Sequence, residues 1–512
     1  MSHALIDPLG WALAAFRDSS LAESYTTASD YYNGHHDLGF ATTAYHNTFR
    51  DLLKATTCNR CRSVVDAHAD RLKVIGFSDE GTEERSPETA DDTPADVASG
   101  KAPREMAWDL WRQNRMDKRA GEIHQEAFTT GDAYVIVDKH PTTGVVNIWP
   151  QLASQIRVAY NDEHPGAIDL AAKKWRLHNG KARLNLYFED RIEKYVSRNK
   201  EANTGAMLPK AFERYTDKDD AGAWPLRLIT PGIPVFHFGN NARTGEYGTS
   251  ELVDVIPLQD DLNKTIADMM VAGEFGAFRQ RWAVGVSPVI DPITGLEALP
   301  FKAGPGQVWF ADADADGTAP KFGDFTETDI TQYIDEKETF STEIARVSRV
   351  PVHYLLMTGT PPSGESLKLL EAPFVAKLQD RQIAFGQVWG DVIRYALLLQ
   401  SGVDVPGLVT EWQPASPRSE KETADLALIY SQVGWPEEEL WRFMGKTDAE
   451  IARMKAEKAT AFQQQQQIAA QTQATFERSL TGFAGPDQNP SAQDSQPNDT
   501  PPQKERVKPS PP

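Results

Sequence analysis

Two stretches with a helical spacing of apolar residues flank a short, strand-like region in the second half of the chain. The first starts at Gly248, and its three-and-four spacing indicates one buried helical face. The second ends near Val350 and has Thr328 where an N-cap is expected. An ordinary helical hairpin in a globular core is equally compatible with the spacing alone. The apolar positions are Leu252, Val255, Ile256, Leu262, Ile266, Met269 and Met270, then Ile330, Tyr333, Ile334, Phe340, Ile344 and Val347.

The first half of the chain predicts an α+β fold class. Helical spacing dominates from Ala4 to about Asp79 and returns from Arg104 to Gly131. The runs AYVIVD and VVNIWP, joined by PTTG, then predict a β-hairpin. An antiparallel or mixed sheet follows from the β-like runs IRVAY, IDLAAKKWRL, KARLNLYFED, RIEKYVS and PVFHFGN. Ser78 to Pro103 is acidic, lacks aromatic residues and predicts an exposed or disordered loop.

The last part of the chain is predominantly helical until it becomes polar and proline-rich. Ser366 to Gln400 predicts one long helix, with a kink at Pro373. Further helices are expected around Thr423 to Gln432 and from Pro436 onward. A polar tract begins at Gln463, and we expect the tail, residues 476–512, to be disordered.

Composition narrows the function classes. A formal net charge of −20 argues against a protein that grips nucleic acid over a broad basic face. It remains compatible with a conduit for DNA, because an acidic wall repels phosphates and adds no ion-pair friction. Cys58 and Cys61 form a CxxC without a second metal-binding pair, so we expect ordinary packing. We interpret the adjacent His35 and His36 as surface histidines.

Two motifs resemble ligand-binding loops without completing them. Asp312, Asp314 and Asp316 in DADADG match the opening of a calcium-binding loop, but Gly323 replaces the glutamate required at the twelfth position. A solvated acidic loop is the expectation, and calcium binding stays the minor alternative. GTPPSGES is close to a phosphate-binding loop, but Glu365 stands in place of the lysine and would repel phosphates.

Three blocks of sequence resemble, in order, the portal protein family of tailed bacteriophages. They are FGAFRQRWAVGV, PFKAGPGQVWF and VPVHYLLMTGTPPSGESLKLLEAPFVAKLQDRQIAFGQVW. The resemblance extends from roughly Asp30 to Gln400 and carries no catalytic motif. It implies a multi-domain portal architecture. The implied parts are a wing (1–247), a first stem helix (248–277), a clip (278–326), a second stem helix (327–350), a tunnel loop (351–365), a long kinked helix returning to the wing (366–415), a helical crown (416–475) and a disordered tail (476–512).

The resemblance also implies a function without an active site or a cofactor. A homo-oligomeric ring of about twelve copies would occupy one capsid vertex of the virion, after assembly in the host cytoplasm. Double-stranded DNA would pass through it without sequence specificity during packaging and ejection. The implied partners are the terminase large subunit, a head-tail adaptor and the major capsid and scaffold proteins. The DNA-facing tunnel loop would comprise Met357, Thr358, Gly359, Thr360, Pro361, Pro362, Ser363 and Gly364.

Two alternatives remain open at the level of sequence. A metal-dependent phage enzyme acting on nucleic acid could use Asp260 and Asp261, or Asp312 and Asp314. Adjacent residues on a helix point about 100° apart, which makes the first pair a poor two-metal cradle. The other alternative is a capsid scaffold protein that forms no channel. We expect neither a membrane span nor a signal peptide.

Overall fold

The computed structural model of this chain divides into two compact units, Met1–Ser416 and Pro417–Pro512. Helices and sheets both build the first unit, and all strand pairs in the described residues are antiparallel. The predicted α+β class is therefore confirmed. The described residues are 6–36, 57–79, 102–200, 208–217, 223–228, 230–277, 281–286, 289–290, 293, 295–298, 319–324, 329–356, 363–402, 404–416, 420–446 and 448–481.

Three helices open the first unit, and a polar side chain caps the start of each. The carboxylates of Asp7 and Asp18 and the side-chain oxygen of Asn59 accept hydrogen bonds from backbone N–H groups of the first turns. Such caps satisfy donors that have no partner inside the helix. The helices are α1 (Pro8–Ala15), α2 (Ser19–Asn33) and α3 (Arg60–Ala69).

The helical prediction is wrong for the segment that follows α3. Val74–Asp79 forms strand β1, which pairs with a strand near the end of the first unit, Leu408–Trp412. The partner strand is more than 300 residues away in sequence, so local spacing could not reveal it. Residues 80–101 of the predicted exposed loop lie outside the described residues.

A helical pair leads into the predicted hairpin, which is confirmed. The outer strand of the hairpin meets the side-chain amide of Asn114, which accepts from the Ile148 N–H at 2.9 Å and donates to the Val146 carbonyl at 3.2 Å. These bonds occupy groups that an edge strand otherwise leaves unpaired. The elements are α4 (Pro103–Gln113), α5 (Met116–Thr130), β2 (Asp132–Lys139) and β3 (Val146–Gln151).

A six-stranded antiparallel sheet follows, as the β-like runs predict. Its order is β4-β5-β6-β7-β8, with β9 paired to β7. Leu13 of α1 packs with Leu184 and Phe212 on one face, and Tyr25 of α2 packs with Tyr187 on the other. The PVFHFGN run instead joins β2 in a separate sheet. The strands are β4 (Ile156–Tyr160), β5 (Ile168–Arg176), β6 (Lys181–Tyr187), β7 (Arg191–Lys200), β8 (Phe212–Arg214), β9 (Leu226–Arg227) and β10 (Val235–Gly239).

The two predicted helices around the strand-like region are present. Pro257 occupies the second position of the first helix, so it marks the helical start. The second helix begins at Thr331, whose N–H donates to the Asp329 carboxylate at 2.9 Å, and the predicted cap Thr328 lies outside the described residues. The elements are α6 (Ile256–Ala277), β11 (Arg281–Val284), β12 (Val289–Ile290), β13 (Glu297–Ala298), β14 (Lys321–Asp324) and α7 (Thr331–Ser348).

One long helix completes the main core of the first unit. Its side chains Phe374, Phe385 and Trp389 are fully buried, and Pro373 lies inside the helix as predicted. The helix ends at Ser401, and the following Gly402 has a φ of +78°, the left-handed conformation that favours glycine. The elements are α8 (Val352–Leu355), α9 (Gly364–Ser401) and β15 (Leu408–Trp412).

The second unit is helical in its described residues. The ring of Tyr430 stacks on that of Trp435 at 4.4 Å, where the chain turns from one helix to the next at Pro436. The polar tract that begins at Gln463 lies within a helix reaching Thr481, so the tail boundary expected at residue 476 is too early. Residues 482–512 and Thr447 lie outside the described residues. The helices are α10 (Glu420–Val433), α11 (Glu437–Phe443) and α12 (Asp448–Thr481).

The helices in the described ranges do not meet the requirements for a membrane-spanning helix. None of them combines the length and the apolar character that crossing a bilayer requires.

Candidate functional site

The helices α6 and α7 contact each other and share the main core of the first unit. Leu262 and Ile266 of α6 are buried in that core together with Ile344 and Ala345 of α7. The apolar spacing of α6 is therefore correct for Leu262 and Ile266, whereas Met269 and Met270 are only half-buried. This helix pair is the centre of the candidate site, because it corresponds to the two stretches around which the sequence pattern is organised.

The apolar positions of α7 are not all buried. Ile334 is 47% exposed and Val347 is 44% exposed, whereas Ile344 is fully buried. The prediction of one buried face is therefore wrong for part of α7. The spacing marks residues that avoid water, but within one chain the neighbouring elements cover only some of them.

The acidic residues of α6 do not share one environment. The hydroxyl of Tyr31 donates to the Asp260 carboxylate at 2.6 Å, whereas Asp261 is exposed. Asp268 forms an i,i+4 ion pair with Lys264 at 2.6 Å. The two adjacent carboxylates thus have different surroundings, as expected for neighbouring positions on a helix.

A buried ion pair ties the segment before α6 to α9. Glu251 and Lys377 are 8% and 9% exposed, and the Lys377 ammonium donates to the Glu251 carboxylate. Lys377 also donates to the carbonyl of Ser348, the last residue of α7, at 3.1 Å. Asn240 donates to the other Glu251 oxygen at 3.0 Å. Burial opposes the charged form of Glu251, but the charge of Lys377 and the hydrogen bonds from Lys377 and Asn240 outweigh it and hold the Glu251 pKa below its ordinary value.

A second buried carboxylate, Glu371, connects α8 to α9. The Tyr354 hydroxyl donates to one Glu371 oxygen at 3.1 Å, and Nε2 of His353 lies 3.3 Å from the same oxygen. Nη2 of Arg71 lies 3.3 Å from the other oxygen and also contacts the Tyr354 hydroxyl. Nη1 of Arg71 donates to the Ala415 carbonyl at 2.9 Å. One guanidinium thus joins three separate parts of the first unit.

Only the flanks of the predicted tunnel loop are described. Residues 357–362 lie outside the described residues, so nothing is shown of Met357, Thr358, Gly359, Thr360, Pro361 and Pro362. Ser363 is the N-cap of α9, and its hydroxyl accepts from the Ser366 N–H at 3.3 Å. Gly364 is the first residue of the helix. The metal candidates Asp312, Asp314 and Asp316 also lie outside the described residues.

The charged residues Glu251, Glu371 and Lys377 were not predicted from the sequence. A signal exists for two of them, because Glu371 and Lys377 lie three residues before and after the buried Phe374 of α9. A charge at a position of the buried helical face requires a partner. The sequence gives no indication of which partner that is, since Arg71 and Glu251 are far away along the chain.

The histidine and cysteine interpretations have different outcomes. His35 is exposed, but His36 is half-buried, with Nδ1 2.7 Å from the Asn263 amide, so its surface assignment is wrong. Cys61 is fully buried, which confirms packing, and burial raises the pKa of its thiol to about 12. Within the described residues, no group of three or more potential metal ligands occurs.

Comparison with known proteins gives the family. The chain matches the family described as Phage portal protein, SPP1 Gp6-like, over residues 18–464 and belongs to it. It is 25% identical over 384 residues to the portal protein of Mycobacterium phage L5, covering 72% of this chain and 70% of that protein. It is also 25% identical over 418 residues to the portal protein of Mycobacterium phage D29, covering 77% of each.

Two solved structures align over much of the chain. The first, described as the neck of an empty GTA particle computed with C6 symmetry, aligns at a TM-score of 0.41 and 13% identity, covering 75% of this chain and 89% of that chain. The second, described as the virion of a native gene transfer agent particle, aligns at a TM-score of 0.38 and 11% identity, covering 75% and 88% respectively.

Proposed function

We propose that this chain forms a ring around a channel for double-stranded DNA at one vertex of a phage capsid. The family match over residues 18–464 is the observation that carries the proposal. Membership of this family explains why the three sequence blocks, which follow the first helix, lie between the two helices and follow the second helix, resemble portal proteins. In this proposal α6 and α7 form the stem, and the short strands between them form the clip.

Exposed apolar residues support assembly into a ring. Ile334 and Val347 of α7 and Leu369 and Leu370 of α9 are between 44% and 74% exposed in a single chain. Copies arranged around an axis would cover such positions with the next subunit. Within the described residues, the strand pairs β11–β14 and β12–β13 are two-stranded, and a neighbouring copy could complete their edges.

We assign the DNA-facing surface to the loop between α8 and α9, Met357 through Gly364. The loop follows the buried Leu355 and leads into an exposed first turn of α9. The formal net charge of −20 supports a wall that repels phosphates and lets DNA slide. The mechanism would be mechanical and electrostatic, with no residue reading a specific base, no cofactor and no enzymatic step.

The proposed partners follow from this role. The terminase large subunit would drive DNA through the ring, a head-tail adaptor would attach later, and the scaffold and major capsid proteins would embed the ring in the vertex. The protein would assemble in the host cytoplasm and remain in the virion. A metal-dependent enzyme would be recognised by metal-dependent turnover of DNA by the pure protein, and a scaffold without a channel by the absence of a central hole.

Electron microscopy of the purified chain tests the proposal. We expect class averages along the symmetry axis to show a ring of about twelve subunits with a hole near the width of duplex DNA, roughly 20 Å. A monomer or dimer under every condition, including after addition of scaffold and capsid proteins, would contradict a channel-forming role. A ring without a central hole would favour the scaffold alternative.

A further inference from the structure

The first seven residues of α9 leave most of their surface exposed to solvent. We call this segment, Gly364–Leu370, the α9 arm. All of its residues except Leu367 are exposed, with Leu369 at 74% and Leu370 at 62%. Glu371 is the first buried residue of the helix, at 7% exposure. The arm therefore gains almost nothing from apolar burial inside one chain.

The helix that follows the arm is weakened within its next turn. Pro373 has no N–H, so the Leu369 carbonyl loses its partner in the α-helical pattern. Bending at this point is easier than elsewhere along the helix. The buried contacts of Glu371 with Tyr354, His353 and Arg71 tie the residue that directly follows the arm to the body of the unit.

The same arginine holds the segment by which the chain leaves the first unit. We call Gln413–Ser416 the exit segment, because the second unit starts at Pro417. It is fixed by three hydrogen bonds: the Gln413 N–H donates to the Lys73 carbonyl at 2.8 Å, Gln382 donates to the Gln413 carbonyl at 2.9 Å, and Arg71 donates to the Ala415 carbonyl at 2.9 Å. Ala415 is buried at 4% exposure, so its carbonyl has little access to water as a substitute partner.

The Arg71 side chain is also confined by rings. Its guanidinium lies 5.6 Å from the centre of the Tyr354 ring and 5.8 Å from that of Phe374. A planar guanidinium donates hydrogen bonds in fixed directions. It therefore cannot keep its bond to Glu371 and its bond to Ala415 if only one of these two acceptors moves. Moving one of these acceptors changes the geometry at the other.

We propose that Arg71 couples the position of the α9 arm to the order of the exit segment. Loss of the Glu371 contact would loosen the Ala415 contact, and disorder in the exit segment would in turn loosen the arm, since coupling between two sites is reciprocal. The proposed coupling involves contacts within one chain only, so testing it does not depend on whether the portal proposal is correct. If that proposal holds, the arm lies beside the DNA-facing loop.

Hydrogen exchange measured by mass spectrometry on the full chain tests the coupling. Peptides covering 364–372 report on the arm, and peptides covering 405–416 report on the exit segment. We expect Glu371→Gln to speed exchange in both, by about fivefold or more in the exit segment. We expect Gln382→Ala, which removes a bond at the exit segment, to speed exchange in the arm as well.

The role of Arg71 is isolated by repeating the change in a second background. In Arg71→Met, Glu371→Gln should produce no further increase in the exit segment. Arg227→Met is the matched control, because it breaks an exposed ion pair with Asp190 in the six-stranded sheet, distant in sequence from both peptides. It should leave both peptides unchanged. If Glu371→Gln does not fold, Tyr354→Phe removes a single hydroxyl from the same cluster and should act in the same direction.

Two results would overturn the inference. One is faster exchange in the arm with an unchanged exit segment, in both Glu371→Gln and Tyr354→Phe. The other is an effect of Glu371→Gln on the exit segment that persists in full in Arg71→Met. The second result would show that the signal travels through the backbone of α9 and not through the guanidinium.

Discussion

The indole N–H of Trp389 donates a hydrogen bond to Nε2 of His124 at 3.0 Å, between α9 and α5 in the main core. An indole nitrogen is only a donor, so Nε2 must accept and the neutral imidazole carries its proton on Nδ1. His124 is fully buried and stacks on Phe385. Burial lowers the pKa of His124 from 6.5 to about 3. The packing of α5 on α9 thus depends on a neutral histidine.

We expect the stability of the protein to fall as the pH drops below 6.5. Burial also lowers the pKa of His68, to about 4, so in mildly acidic solution the unfolded chain binds protons that the folded chain does not. The contribution of each histidine is complete above pH 6.5 and decreases by about 1.4 kcal/mol per pH unit below it. Thermal unfolding between pH 7 and 5 measures this. His124→Gln keeps an acceptor for Trp389 and should flatten the dependence; equal slopes would contradict the prediction.

Removing the charge of Lys377 should destabilise the protein strongly. Lys377→Met leaves Glu251 as a buried carboxylate without its cation, at a cost of about 3–5 kcal/mol. Adding Glu251→Gln removes the uncompensated charge and should restore part of that loss. Chemical denaturation of the single and double variants gives the coupling energy. The matched control is Lys264→Met, which breaks an exposed i,i+4 pair and should cost less than about 1 kcal/mol. Similar losses of stability in Lys377→Met and Lys264→Met would contradict the prediction that the buried pair matters more than the exposed one.

The parts of the fold that the sequence predicts are those whose signal is local. The prediction of the β2–β3 hairpin is correct because its signal is local: two β-like runs are joined by a short turn in neighbouring residues. Strand β1 was missed because the residues that complete it, Leu408–Trp412, are distant in sequence. In the same way, the apolar spacing of α7 gave its helical state but not the exposure of Ile334, which depends on what packs there.

The candidate site was predictable only in part for a related reason. The spacing identified α6 and α7, while the tunnel loop that the resemblance implies, Met357 through Gly364, stays a prediction. The charged contacts that position these elements have no period, because Arg71 and Glu371 meet only when α3, α8 and α9 come together. A charged residue on an apolar helical face indicates that a partner of opposite charge exists. Which residue is that partner depends on the folded structure.

The junction between α5 and β2 should tolerate no side chain at Gly131. Its φ of +101° lies in the region that favours glycine, and a Cβ would lie 2.9 Å from the backbone of Gly248 and Ser250. Gly131→Ala should therefore cost at least about 1–2 kcal/mol from the conformation alone, with the steric clash in addition. Gly121→Ala in the middle of α5 is the matched control, because an added Cβ there would meet no atom within 4 Å apart from its chain neighbours and the backbone of its own helix turn. We expect this control to stabilise by up to about 1 kcal/mol. Denaturant titration of both variants measures the change in the free energy of unfolding. Equal changes in Gly131→Ala and Gly121→Ala would contradict the prediction.

A charge on the exposed apolar positions of α7 should block ring formation without unfolding the chain. Ile334→Glu and Val347→Glu alter side chains that are 47% and 44% exposed, so the melting temperature should change little. In a ring these positions would be covered, and a buried unpaired carboxylate would oppose assembly. Val145→Glu, in the turn before β3 and 38% exposed, is the matched control and should still assemble. Light scattering and electron microscopy measure the ring fraction. Normal rings from both α7 variants would show that neither position lies in a subunit interface.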